Sequence, residues 1–223
     1  EALVIKGSAG CGKTTIIKHI AYTIIKGENS RKLSGYLPVL VFLQDVKTII
    51  PPDRSPLACA DYAETILDAY CRATGCGLTI DVIKAFCSKG RAVFLIDGLD
   101  EIPETLRTCL VDSLADFSLG YPGFKIILTG RPHGISSAVE KRYFKKIITV
   151  LSFDDEQIAS YVTRWWQEVH HQDPSGMSII SPDTLITELK QNPDIEELKR
   201  NPLMLTAICF LYLDDKRLPD QRA

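Results

Sequence analysis

The chain has 223 residues, 45% of them hydrophobic and 24% charged, with a formal net charge of −2. That length and balance suit one large globular domain, or a core domain with an appendage, and exclude a disordered or collagen-like chain. The small net charge argues against broad attraction to nucleic acid or a membrane surface, and the longest apolar run, Leu203 to Leu213 broken by Thr206, is too short to span a bilayer.

No stretch of the sequence reads as a signal peptide. The seven cysteines form no C-x-x-C pair and read as reduced thiols, which points to a cytoplasmic protein. Because a strand begins at once after Glu1 and Ala223 follows no closing element, the sequence reads as a segment cut from a longer chain.

The first apolar run, Ala2-Leu3-Val4-Ile5, predicts a strand. Gly7-Ser8-Ala9-Gly10-Cys11-Gly12-Lys13-Thr14-Thr15 follows, and then Ile16, Ile17, Ile20, Ile24 and Ile25 recur at helical spacing. Strand, glycine loop, helix is the setting in which G-x-x-x-x-G-K-[ST] forms a phosphate cradle. Gly7 and Gly12 allow a sharp turn that brings N–H groups to one point, and the positive helix N-terminus faces the same way. Lys13 can reach β- and γ-phosphate oxygens, and the Thr14 hydroxyl can ligate Mg²⁺. Cys11 at this helix start is a candidate for a lowered thiol pKa, with alkylation there expected to block nucleotide binding.

Further along, Leu37 to Leu43 is a continuous apolar run suited to a strand covered on both faces. After a Pro-rich loop at Pro51–Pro56, helices are predicted over about Leu57–Ala73 and Thr79–Ser88. Ala92-Val93-Phe94-Leu95-Ile96-Asp97 is the strongest buried-strand signal, followed by a helix over about Glu104–Phe117. Strands at Phe124–Thr129 and Lys146–Val150 complete an alternating pattern that predicts a five-stranded parallel sheet with helices on both faces.

Beyond Leu151 no strand pattern remains. Ser152-Phe153-Asp154-Asp155 reads as a capping box, with Ile158, Tyr161, Val162, Trp165 and Val169 on one helical face. Ser181-Pro182, Asn192-Pro193 and Asn201-Pro202 each place a capping residue before a helix-starting proline. The expected division is a P-loop nucleotide-binding domain at residues 1–151 and a small helical lid at residues 152–223.

Two further motifs carry chemistry. Asp97-Gly98-Leu99-Asp100-Glu101 ends the third strand in carboxylates, where open α/β sheets bind their ligands. Asp97 would hold Mg²⁺, through a water, and either Asp100 or Glu101 could orient and deprotonate the attacking water. Leu128-Thr129-Gly130-Arg131-Pro132 ends the fourth strand in a cation. If that strand lies between those ending in Lys6 and Asp97, Arg131 sits near a γ-phosphate. No N-K-x-D motif is present to read guanine, which favours ATP over GTP.

These residues together resemble the NACHT group of STAND-type P-loop NTPases, a likeness carried by Gly7–Thr15, Asp97–Glu101, Leu128–Pro132 and Asn201-Pro202-Leu203-Met204-Leu205. The resemblance implies an Mg-dependent, slow ATPase in which ATP or ADP exchange switches a larger protein between closed monomer and oligomer. It implies a signalling role in innate immunity or antiphage defence, with effector and sensor domains outside this segment. Lys13 and Thr14 would bind phosphate and Mg²⁺, with Asp97 supporting the metal. Asp100 and Glu101 would be hydrolytic acids, Arg131 the phosphate sensor, and Pro202 the adenine contact. The winged-helix segment and an upstream adenine-binding segment expected of the family lie outside the sequence. Two other readings are an ADP-locked scaffold with negligible turnover, and an AAA+ motor using Arg164 or Arg200 as a second sensor.

Overall fold

The computed structural model describes residues 2–27, 33–49, 61–134, 144, 146–172, 181–215 and 218. Strand β3 (Ala92–Asp97) explains most of the architecture, because all six of its residues are buried. A strand covered on both faces needs helices on both sides. Its alternate residues meet different partners: Val93 and Leu95 pack with Ile17, Ala21 and Ile24 of helix α1 (Lys13–Lys26). Phe94 and Ile96 point the other way. There they join a larger core with helices α3 (Tyr62–Thr74), α4 (Ile80–Ser88) and α5 (Glu104–Gly120).

The other strands are β1 (Ala2–Lys6), β2 (Leu37–Phe42), β4 (Lys125–Gly130) and β5 (Lys146–Thr149). All five run parallel in the order β2-β3-β4-β1-β5. The fold class expected from the alternating pattern is therefore the one observed. Strand β4 lies between β1 and β3, with Lys6 opposite Gly130 and Ile96 opposite Leu128, so the tips of these three strands share one edge. Strand β5 is exposed along its whole length despite its isoleucines, because it closes the sheet at an edge.

Several boundaries differ from the sequence expectation. The apolar run ending at Leu43 turns into a short helix, α2 (Leu43–Ile49), whose first residue is fully buried. Helix α3 begins at Tyr62, and the earlier part of the helix expected from Leu57 lies outside the described residues. Cys109 is disulfide-bonded, against the expectation of seven reduced thiols, while Cys11, Cys71, Cys76, Cys87 and Cys209 are free. Burial pushes the Cys71 and Cys87 thiols up to about 11 and that of Cys209 to about 12. Exposed Cys76 is instead lowered, chiefly by its hydrogen bond to the Leu78 backbone.

The described residues fall into two compact units: Glu1–Ser8 with Lys13–Val150, and Ala9–Gly12 with Leu151–Ala223. The second unit holds helices α6 (Asp155–Gln172), α7 (Pro182–Gln191), α8 (Glu196–Lys199) and α9 (Pro202–Asp215). Its core joins Ile158, Val162, Trp166, Leu185, Leu189, Leu205, Cys209 and Tyr212. Trp166 is buried there, whereas Trp165 sits half-buried with its ring edge-on to Phe210. Lys199, also buried, donates to the Leu189 carbonyl at 2.8 Å and pairs with Glu196. The bonds from Lys199 and Arg200 hold the Glu196 carboxyl below its usual range.

The capping box of α6 is displaced from its expected place. Asp154 accepts from the Gln157 amide at 2.8 Å, and Gln157 accepts in return from the Asp154 amide at 3.0 Å. The three Ser/Asn-Pro starts behave as their sequences imply. Ser181 accepts from the Asp183 amide, Asn192 from the Asp194 amide and Asn201 from the Leu203 amide. Among the described residues no helix is long and apolar enough to cross a membrane.

Candidate nucleotide-binding site

Strand β1 ends where the glycine loop begins, and the Gly7 amide donates to the Gly130 carbonyl at 3.3 Å. The loop is thereby tied to the tip of β4. Lys13, the first residue of α1, folds its ammonium back over the loop and donates to the Gly7 carbonyl at 2.8 Å and the Ser8 carbonyl at 2.7 Å. Next on α1, the Thr14 hydroxyl donates to Asp97 Oδ2 at 2.6 Å. Residues separated by most of the sheet's sequence thus meet at its C-terminal edge, where a doubly wound fold leaves its binding crevice. Thr15 lies in the same first turn of α1 and is exposed.

Asp97 is only 8% exposed, so its second oxygen needs a partner. That partner is Thr129 on β4, whose hydroxyl donates to Asp97 Oδ1 and accepts from the Gly98 amide at 3.0 Å. Thr129 is fully buried and fixes the rotamer of the acid that the sequence assigned to the metal. Thr14 and Asp97 present hard oxygen donors side by side, the chemistry Mg²⁺ selects, so the residues fit the metal the family implies.

After Asp97 the backbone turns through Gly98, whose φ of +84° is left-handed, into a 3₁₀ turn at Leu99–Glu101. A Cβ at Gly98 would lie 2.8 Å from Glu101 Cδ, so glycine lets the Glu101 side chain fold back over the strand end. Asp100 points elsewhere. It accepts from the Arg131 amide at 2.9 Å, and its other oxygen pairs with Arg131 Nε at 2.9 Å. Arg107 of α5 holds the acidic turn from below, donating to the Asp100 carbonyl at 3.0 Å and the Ile102 carbonyl at 2.7 Å.

The condition set for Arg131 is met, since β4 lies between β1 and β3. Asp97, Thr14, Lys13, Gly7 and Ser8 form one connected set, and Asp100 and Arg131 form a second on the same sheet edge. Ala9, Gly10, Cys11 and Gly12 belong to the helical unit, as does Pro202, the first residue of α9. Cys11 is buried, which makes it a packing residue rather than an accessible thiol. Arg200, a candidate second sensor, is engaged by Glu196, Asp155 and the Phe153 carbonyl, and serves as a staple of the helical unit. Sequence reading missed Thr129 and Arg107. Thr129 acts on a partner 32 positions away and was visible only as a hydroxyl inside an apolar strand, whereas Arg107 reaches carbonyls five and seven positions before it, across a turn whose shape the sequence does not spell out.

A family model for the NACHT domain matches residues 1–169. The chain belongs to the NACHT family. It is accordingly a nucleotide-binding, NTPase-type module. Among 271 chains of solved structures that match this NACHT chain, one is titled "S. cerevisiae Hsp104-ADP complex". It aligns with a TM-score of 0.61 and 18% identity over 96% of this chain, a likeness of fold. This NACHT chain spans 28% of the length of that one. No curated protein sequence matches it.

Proposed function

We propose that this NACHT domain binds ATP or ADP with Mg²⁺, hydrolyses ATP slowly, and uses the exchange to control self-association. The larger protein would be a cytoplasmic signalling protein of innate-immunity or antiphage-defence type. The observation that carries the reading is the Thr14–Asp97 bond of 2.6 Å, which joins the phosphate-loop hydroxyl to the strand-end carboxylate beside Lys13.

In this reading the loop amides hold the phosphate chain. Lys13 exchanges the Gly7 and Ser8 carbonyls for β- and γ-phosphate oxygens, and Thr14 and Asp97 hold the cation. Bound Mg²⁺ would neutralise charge on the phosphates and polarise the bond that breaks. Thr129 keeps Asp97 in place. Glu101 orients water and takes its proton, and Asp100 accepts two bonds from Arg131. Arg131, held by Asp100, contacts the γ-phosphate, and Pro202 packs against adenine. Domain boundaries at residues 1–151 and 152–223 make the helical part a lid.

Lys13→Ala is expected to weaken MgATP binding at least about a hundredfold, read by isothermal titration. Glu101→Gln should keep affinity within about threefold while phosphate release falls about a hundredfold. Light scattering should find larger assemblies with MgATP than with MgADP. Unaltered ATP affinity in the Lys13 variant overturns the reading of the loop. Copurified ADP with no measurable phosphate release in the wild type would instead favour the ADP-locked scaffold.

A further inference from the structure

Asn201 does two things with one side chain. Its Oδ1 accepts from the amides of Leu203 at 3.0 Å and Met204 at 3.4 Å, which caps the N-terminus of α9. Its Nδ2 donates to the Ala9 carbonyl at 2.8 Å, in the middle of the glycine loop. The Leu203 amide also reaches the Gly10 carbonyl, at 3.3 Å. All of these residues lie within the helical unit.

A cap alone does not call for asparagine. Serine at 181 and aspartate at 154 start the neighbouring helices α7 and α6 by accepting alone. The asparagine amide accepts from a helix and donates to a loop at once, with the two functions on separate atoms, which a carboxylate cannot do and a hydroxyl can do only from one atom nearer the backbone. Gly10 gives a second, independent sign of the same contact. The phosphate-loop pattern requires glycine at Gly7 and Gly12 but leaves this position open. Gly10 has φ +73°, and a Cβ there would lie 2.7 Å from Asn201 Oδ1 and 3.0 Å from Leu203 Cβ. Position 10 is glycine because Asn201 and Leu203 come up against it.

We propose that Asn201 is a positioning residue for the phosphate loop. A trans peptide is planar, with its C=O and N–H pointing in opposite directions. Drawing the Ala9 and Gly10 carbonyls toward α9 therefore turns the amides of Gly10 and Cys11 away from that helix. Those carbonyls also meet the positive end of α9, whose first turn carries no acidic residue. Asn201 thus sets the side of the loop on which N–H groups present themselves, and an anion of the nucleoside-polyphosphate class is what they meet. This inference rests on the nucleotide-binding reading for its consequence, though not for the contact itself.

The test uses the whole chain with Asn201→Asp and Asn201→Ser. Both residues cap as well as asparagine. The carboxylate cannot donate, and the serine hydroxyl falls one bond short. In nucleotide-free protein, amide exchange at Leu203, which also donates to the Gly10 carbonyl, is expected to quicken severalfold in both variants, with exchange across α7 unchanged. The Kd for MgADP should rise about tenfold, and KM for MgATP should rise by more than kcat falls. Wild-type exchange and wild-type MgADP affinity in both variants overturn the proposal, as does full rescue by Asp and Ser of a defect seen in Asn201→Ala, which would make Asn201 a cap alone. Faster exchange in a protein whose wild type binds no MgADP upholds the loop contact and refutes the nucleotide reading.

Discussion

Asp100 and Glu101 are neighbours whose side chains meet different groups, Arg131 for the first and the Gly98 turn for the second. Asp100 is 14% exposed on its side chain and takes both the backbone and the Nε of Arg131, whose side chain is 57% exposed. A half-exposed ion pair contributes at most about 1 kcal/mol to stability. Its value is orientation: it fixes where a mobile guanidinium stands. Asp100→Asn and Arg131→Ala should therefore each lower turnover about tenfold, and the double variant should lose little more than the worse single one. That outcome corresponds to a coupling of about 1.4 kcal/mol in a double-mutant cycle on kcat. Strictly additive losses would mean that Asp100 acts on the water independently, as the sequence allowed. What the sequence revealed at this scale was whatever a local spacing encodes: Lys13, Thr14 and Asp97. The partner that orients Asp97 was hidden, because Thr129 acts across 32 positions, and so was the bond from Asn201 to Ala9, which spans 192.

At the scale of single elements, β3 was legible because burial on both faces leaves an unbroken apolar run ended by an acid. The same logic misread Leu43, since a continuous apolar run does not say where a strand gives way to a buried helix. The start of α6 erred in another way. Several polar residues precede it, and the pattern of a serine followed three places later by an acid selected Ser152, whereas reciprocal bonds form between Asp154 and Gln157. Asp154→Ala is expected to destabilise the helical unit by about 1 kcal/mol in urea unfolding, and Ser152→Ala by almost nothing. The reverse ranking would restore the box to its first-read position.

The whole molecule carries its glycine loop in two compact units, Gly7, Ser8 and Lys13 in one and Ala9–Gly12 in the other. On the proposed reading the entire loop holds the nucleotide, which would then stabilise both units by mass action. At a hundred times Kd that contribution is about 2.7 kcal/mol. The two tryptophans of the chain, Trp165 and Trp166, both lie on α6, so their fluorescence follows the helical unit alone. Amide exchange across β3 follows the sheet unit, because that strand is buried on both faces. Saturating MgADP is expected to raise the fluorescence unfolding transition and to slow β3 exchange together, and Lys13→Ala should abolish both effects. A ligand that slows β3 exchange while leaving the tryptophan transition where it was would be held by Lys13, Thr14 and Asp97 without help from Ala9–Gly12. Exchange of nucleotide could then not be sensed through the helical unit, and the proposed switch would have to act through the sheet unit alone.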